Sequence, residues 1–153
     1  MTRRWRVVLG SDNAGFRYKE VLKELMEKDP RVQLVQDVGV ATAGDETAYA
    51  HIAVTAARMV AAGEVDRALL FCGTGLGVAI AANKVPGVRA VTAHDSYSVQ
   101  RSVLSNDAQV LTMGEKVIGL ELAKKLVDEW LGYEFDPSSP SAAKVDAVRA
   151  YEH

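Results

Sequence analysis

Cysteine is almost absent from this chain, with one in 153 residues. No intramolecular disulfide can form, so a reducing compartment is the expected setting. Histidine is nearly as scarce: His51, His94 and His153 are scattered, and with one cysteine they offer no metal-ligand spacing. Excess charge is missing too. Eighteen basic and twenty acidic residues leave a net charge of −2, which gives no general pull toward nucleic acid or an anionic membrane. No apolar run approaches the ~20 residues of a membrane span, and the one after "MTRRW" is too short for a signal peptide. The expectation is a soluble, cytoplasmic protein without membrane or nucleic-acid partners.

What is present reads as one globular domain over residues 1–153. Hydrophobic residues make up 48% and charged residues 25%, proportions that argue against disorder. Short β-rich runs alternate with longer helical ones. "WRVVLG" (Trp5–Gly10) predicts a buried strand. "FRYKEVLKELMEKD" (Phe16–Asp29) predicts a helix with Tyr18, Val21, Leu22, Leu25 and Met26 on its inner face, ended by Pro30. A second strand covers Val32–Gly39, and the Ala-rich helix "AYAHIAVTAARMVAAG" stops at Gly63. "DRALLFC" is the most apolar strand and hence central. "GVAIAAN" opens a helix, and "SYSVQRSVLSN" forms another between the strands "GVRAVTA" and "AQVLTMG". "KVIGLELAKKLVDEWLG" predicts a long amphipathic helix, "FDPSSPS" a turn, and "AAKVDAVRAYEH" a last helix. This alternation implies an α/β fold with a five-stranded parallel sheet covered on both faces. "SDN", "CGTGLG" and "HDS" follow the first, third and fourth strands. Polar residues thus collect at strand C-terminal ends, where open α/β sheets bind ligands.

The lone thiol stands directly before a glycine loop, "LLFCGTGLGVAIAANK" (Leu69–Lys84). Gly73, Gly75 and Gly77 permit a tight turn with bare N–H groups at a helix start, an arrangement that attracts anions. Spacing separates the specific forms. A dinucleotide fingerprint fails at Val78, although Asp95 stands near the distance expected of a ribose-binding carboxylate. A Walker loop fails because no lysine follows Gly77, and a nucleophile elbow fails because Cys72 precedes the glycines. What remains is a loop that steadies an oxyanion while Cys72 moves a proton. A thiol at a helix N-terminus is more acidic than a free one, and a general base works best with a pKa near the operating pH. N–H donors aimed at developing negative charge contribute about 3 kcal/mol each. Proton abstraction beside a carbonyl suits that set. The plainer alternative for Cys72 is a small core residue at a strand end.

Three stretches, "CGTGLGVAIAANKVPGVRAV", "SNDAQVLTMG" and "VIGLELAKKLVDEWLG", resemble the ribose-5-phosphate isomerase type B family, which includes the galactose-6-phosphate isomerase subunits. The similarity runs from about Arg6 to Trp130. The resemblance implies a Rossmann-like three-layer sandwich with a C-terminal helical extension. It also implies a homodimer, able to pair into a tetramer, with the active site shared between subunits and the segment 133–153 reaching the partner. The implied reaction is aldose–ketose isomerisation of a small phosphorylated sugar through a cis-enediol, with no metal and no cofactor. Cys72 would be the catalytic base and Thr74 the hydroxyl that passes a proton between oxygens. Gly73, Gly75, Leu76 and Gly77 would form the anion loop, while Asp12, Tyr49 and Asn106 would contact the substrate.

Departures from the family pattern narrow the reading. Asn13 replaces the histidine of a D-H pair after the first strand, and Ser105 stands where family members carry a histidine credited with opening the sugar ring. Lys144 aligns with one phosphate-binding arginine, the other falls near Ser139 or Pro140, and Lys116 replaces a further basic position. Lysine keeps the charge but loses bidentate geometry. Either His94 takes over ring opening, or the substrate needs none. A four-carbon sugar 4-phosphate cannot close a furanose, because the hydroxyl required carries the phosphate. Ribose 5-phosphate/ribulose 5-phosphate is the leading pair by family. The alternative is D-erythrulose 4-phosphate/D-erythrose 4-phosphate, and a non-catalytic phosphosugar- or nucleotide-binding sensor comes third.

Plainer roles compete for several of these residues. Asp12 suits a helix cap, Tyr49 the packing of its helix start, and His94 a solvated strand end. His51 reads as an exposed helix position, Lys84 and Arg89 as surface charges, and His153 as a mobile terminus. "KELMEKD" reads as a solvated face, and Trp130 and Leu131 as helix packing or dimer surface.

Overall fold

A computed structural model of the chain describes residues 3–152; His153, expected to be mobile, lies outside the described residues. The strands are β1 (Trp5–Ser11), β2 (Val32–Asp37), β3 (Arg67–Cys72), β4 (Ala90–Thr92) and β5 (Val110–Gly114). The helices are α1 (Phe16–Glu27), α2 (Tyr49–Ala61), α3 (Leu76–Ala82), α4 (Ser96–Leu104), α5 (Leu120–Leu131) and α6 (Ser141–Arg149). All the strands are parallel, in the order β2-β1-β3-β5-β4, so the fully buried β3 is central as its composition predicts.

Side chains alternate across a strand, and here the alternation builds two cores. Val7, Leu9, Leu69, Phe71, Leu111 and Met113 face α1, α4 and α5, where Leu22, Val103, Leu126 and Trp130 meet them. Val8, Ala68, Leu70, Cys72 and Val110 face the alanines of α2 and the start of α3. The three-layer sandwich follows directly.

Some local expectations are corrected. On α1, Leu25 is 44% exposed, and Lys19 is fully buried instead. Its ammonium donates to Asp37 Oδ2 at 2.8 Å and to the Val40 carbonyl at 2.7 Å, so a charged side chain pins the loop after β2 to α1. The long helix begins at Leu120 because residues 115–118 turn back over the sheet, where the Ile118 N–H bonds the Gly114 carbonyl. Arg89 is no loose surface charge: its guanidinium binds the carbonyls of Asn106 and Asp107 and the Asp107 carboxylate.

The stretch after α5 packs on its own chain at the N-terminal ends of the strands. Arg67 lies 3.7 Å from the Trp5 ring and donates to the carbonyls of Trp130 and Tyr133. Burial lowers its pKa to about 10. Val145 of α6 is buried there, beside a cavity of about 550 Å³ also bordered by Asp107 and Arg149.

Candidate active site

The C-terminal ends of β1, β3 and β5 meet at the glycine loop, and close backbone packing holds them together. At the end of β1, Asp12 Oδ1 accepts from the Ala14 and Gly15 N–H groups at 3.0 and 3.2 Å. This caps a single 3₁₀ turn over Asn13–Gly15. Asp12 is therefore a cap, as its residue type allows, and its second oxygen is outside both cap bonds. The turn rests on the end of β3: a Cβ on Gly15 would lie 2.7 Å from the Phe71 carbonyl carbon.

Beyond Cys72 the chain turns through Gly75 at φ +79°, a left-handed conformation that favours glycine. That turn aims two donors. The Gly75 N–H points to Cys72 Sγ at 3.1 Å, and the Leu76 N–H points to Thr74 Oγ1 at 3.2 Å. Because Thr74 accepts there, its own proton is free to be donated to a ligand. The thiol is 4% exposed and Thr74 is exposed, so a small molecule meets the hydroxyl first.

The end of β5 closes the opposite side. Glu115 N–H bonds the Cys72 carbonyl and Lys116 N–H bonds the Gly73 carbonyl, each at 3.0 Å. The Lys116 stem lies over Gly73, with Cδ 3.7 Å from where a Cβ would stand; Ala14 flanks the same point at 3.7 Å. Tyr49, 43% exposed, lays its ring on Gly77, where a Cβ would come within 2.5 Å of it. Asp12, Asn13, Tyr49, the Cys72–Gly77 loop and Lys116 are thus one cluster.

His94 stands beside this cluster, and its Nε2 accepts the Gly114 N–H at 2.9 Å. That bond sets the neutral tautomer with the proton on Nδ1. Burial lowers the ring's pKa, against a smaller opposing effect of Asp95. Asp95 itself caps α4 through the Ser98 N–H, so no nucleotide role is needed to explain it.

The remaining candidates lie elsewhere. Ser105 ends α4, its hydroxyl accepting from Arg101 Nε at 2.7 Å. Asn106 precedes β5, and its carbonyl is held by Arg89 just before β4. Cys72 pairs with Gly114 at the far end of β5, and four residues of strand span about 13 Å. Lys144 is exposed on α6, at the same N-terminal end as Asn106. Within one chain these three do not join Cys72. Sequence reasoning missed Gly114, Thr92 and Thr112, which lie under the loop. Threonine in a strand carries no signal beyond β propensity. Among the described residues, no group of three or more His, Cys, Asp or Glu is placed to hold a metal ion.

The sequence profile of the Ribose/Galactose Isomerase family matches residues 7–148. The chain belongs to this family. Among members of the Ribose/Galactose Isomerase family, it is 68% identical over 147 residues to D-erythrulose-4-phosphate isomerase 2 of Mycolicibacterium smegmatis, covering 96% of this chain and 97% of that one. It is 42% identical over 148 residues to ribose-5-phosphate isomerase B of Escherichia coli, covering 96% of both. The structure of ribose-5-phosphate isomerase B from Clostridium thermocellum superposes with a TM-score of 0.88 at 38% identity, covering 95% of each chain. Like these family members, the chain is an isomerase of sugar phosphates, and the resemblance read from the glycine loop was sound. The order of the two candidate substrates reverses, however: the tetrose phosphate is now better supported than ribose 5-phosphate.

Proposed function

We propose that this isomerase interconverts D-erythrulose 4-phosphate and D-erythrose 4-phosphate. The observation that carries the reading is the set of groups standing where ring opening would need a base. Asn13 and Ser105 do not titrate near neutrality. His94, the remaining candidate, spends Nε2 on the Gly114 N–H and carries its proton on Nδ1, so it has no free lone pair for the task. A substrate that cannot cyclise to a furanose needs no such base. The tetrose-phosphate name of the relative at 68% identity agrees.

In this reading Cys72 Sγ, as thiolate, takes a proton from C1 of the ketose. The electron pair moves into the C1–C2 bond, and the carbonyl oxygen on C2 becomes the enediolate oxygen. Thr74 passes the hydroxyl proton from O1 to O2, and the thiol returns its proton to C2. Atoms and charge balance without a co-reactant. The Gly75 N–H steadies sulfur, the Leu76 N–H holds the oxygen of Thr74 so that its proton faces the ligand, and Asp12 and Tyr49 contact the sugar. Lys116 supplies charge for the phosphate from beside Gly73.

The proposed assembly is a homodimer in the cytoplasm. Ser105, Asn106 and Lys144 lie too far from their own Cys72 to act on it, and a second copy would bring them there. Leu76 and Ile80, one helical turn apart on α3 and 57% and 64% exposed, offer an apolar contact beside the loop. No helix among the described residues is long and apolar enough to cross a membrane.

The test is ketose–aldose conversion of the tetrose and pentose phosphates, each with wild type and Cys72→Ala. Faster tetrose turnover, abolished in Cys72→Ala, is expected. Faster pentose turnover would refute the substrate, and activity surviving in Cys72→Ala would refute the base.

A further inference from the structure

The two hydrogen bonds that serve Cys72 and Thr74 come from opposite sides of one residue. The Gly75 N–H reaches Cys72 Sγ, and the peptide that contains the Gly75 carbonyl carries the Leu76 N–H to Thr74 Oγ1. Whatever holds the Gly75 carbonyl therefore fixes the plane of the Gly75–Leu76 peptide, and so the direction of the Leu76 N–H, and it anchors the residue whose own N–H reaches Cys72. Gly75 has no side chain with which to do so, and its left-handed conformation has no rigidity of its own.

Two threonine hydroxyls, from neighbouring strands, hold that carbonyl from below. Thr112 on β5 is fully buried and places Oγ1 2.7 Å from Gly75 O. Thr92 on β4 places Oγ1 2.9 Å from the same oxygen, and the two hydroxyl oxygens are 2.8 Å apart. Thr92 and Thr112 face each other across the β4–β5 pairing, so sheet register brings them together. Each hydroxyl has one proton to give. Used on the short contacts, the two protons always leave at least one on Gly75 O: both threonines donate to it, or one donates to its neighbour and the neighbour donates to the carbonyl. Either threonine can hold the carbonyl if the other is lost.

We propose that Thr92 and Thr112 form a redundant pair of positioning residues that orients the Gly75–Leu76 peptide, and with it the Leu76 N–H to Thr74, and anchors the residue whose N–H reaches Cys72. The pair touches no substrate and acts only through Gly75. This inference rests on reading Cys72 and Thr74 as the reacting groups, and Cys72→Ala measured in the same assay tests that reading separately.

Redundancy gives the pair a signature that a simple packing role lacks. The experiment compares full-length wild type, Thr92→Val, Thr112→Val, the double valine variant and Thr112→Ser. It uses whichever of the two sugar phosphates wild type turns over faster, and measures kcat and KM separately. Each single valine is expected to lower kcat by no more than about 3-fold, because the other hydroxyl takes over. The double is expected to lose about 100-fold, far more than the product of the singles, with KM within about 3-fold. Thr112→Ser keeps the proton and is expected to match wild type. If the double valine chain does not fold, Thr92→Ala with Thr112→Val removes both protons with less crowding at the half-buried site, and the same loss is expected. A double variant with wild-type kcat overturns the proposal, as does a loss equal to the product of the singles or one confined to KM. Loss in Thr112→Ser equal to that in Thr112→Val also overturns it, because the missing methyl rather than the hydroxyl would then be responsible. If Cys72→Ala abolishes turnover while the double variant is unaffected, the positioning pair is wrong and the base is right.

Discussion

Gly114→Ala tests how tightly the active-site loop is mounted. A Cβ at 114 would lie 2.4 Å from the Thr74 carbonyl carbon, 2.5 Å from its Cα and 2.6 Å from its oxygen. Ordinary carbon contacts begin near 3.5 Å, so the loop must withdraw by about 1 Å. It is not free to do so. The Glu115 and Lys116 N–H groups hold the carbonyls of Cys72 and Gly73 at 3.0 Å, and His94 holds the Gly114 N–H at 2.9 Å. Strain of this kind in a packed region costs about 1–3 kcal/mol, or about 3–10 °C in Tm for a chain of this size. A shift of about 1 Å at reacting groups costs about 100-fold in rate. Differential scanning calorimetry and steady-state turnover read the two effects. Gly44→Ala is the control, because nothing lies within 4 Å of its added carbon; it is expected within about 0.5 kcal/mol of wild type. Gly114→Ala with unchanged Tm and turnover within about 3-fold would show that the loop yields freely, and the reasoning from backbone contact would fail.

Two further outcomes follow from the His94 bond and from the division of the site. His94 is buried enough to lower its pKa, so the unfolded chain binds the proton more readily than the folded one. Its contribution to stability is present above the ordinary histidine value and is lost as pH falls through the lower folded value. His94→Gln, which can place an acceptor near the same Gly114 N–H without titrating, should flatten the decline of Tm between about pH 7 and 5; an unchanged slope would refute the assignment. Cys72→Ala and Asn106→Ala, each inactive alone, should recover about a quarter of wild-type activity when mixed and re-equilibrated, because half the dimers then hold one intact site. No recovery, or a monomer by sedimentation, would place Asn106 outside the partner's site.

The sequence alone determined the order of elements, the parallel sheet and the glycine loop, because these depend on local periodicity and on residues whose backbone freedom is intrinsic. Central β3 was legible from its unbroken apolar run, and Cys72 and Thr74 from their place beside alternating glycines. Asp12 was legible as both a cap and a strand-end carboxylate, since one residue type serves both. The tertiary structure decided what depends on register and approach. Lys19 lies outside the apolar face that periodicity assigns to α1, and only the approach of Asp37 and Val40 to its ammonium buries it. His94 looked free until the end of β5 placed a backbone N–H on its one available nitrogen. Thr92 and Thr112 are unremarkable in their own strands and meet only because β4 pairs with β5 in one register. Ser105 and Asn106 follow the glycine loop only after α3, β4 and α4, and β5 then carries the chain from their end of the sheet to the end that holds Cys72. Local pattern states which groups a chain owns, but distance between groups on different strands is set only when the sheet is assembled.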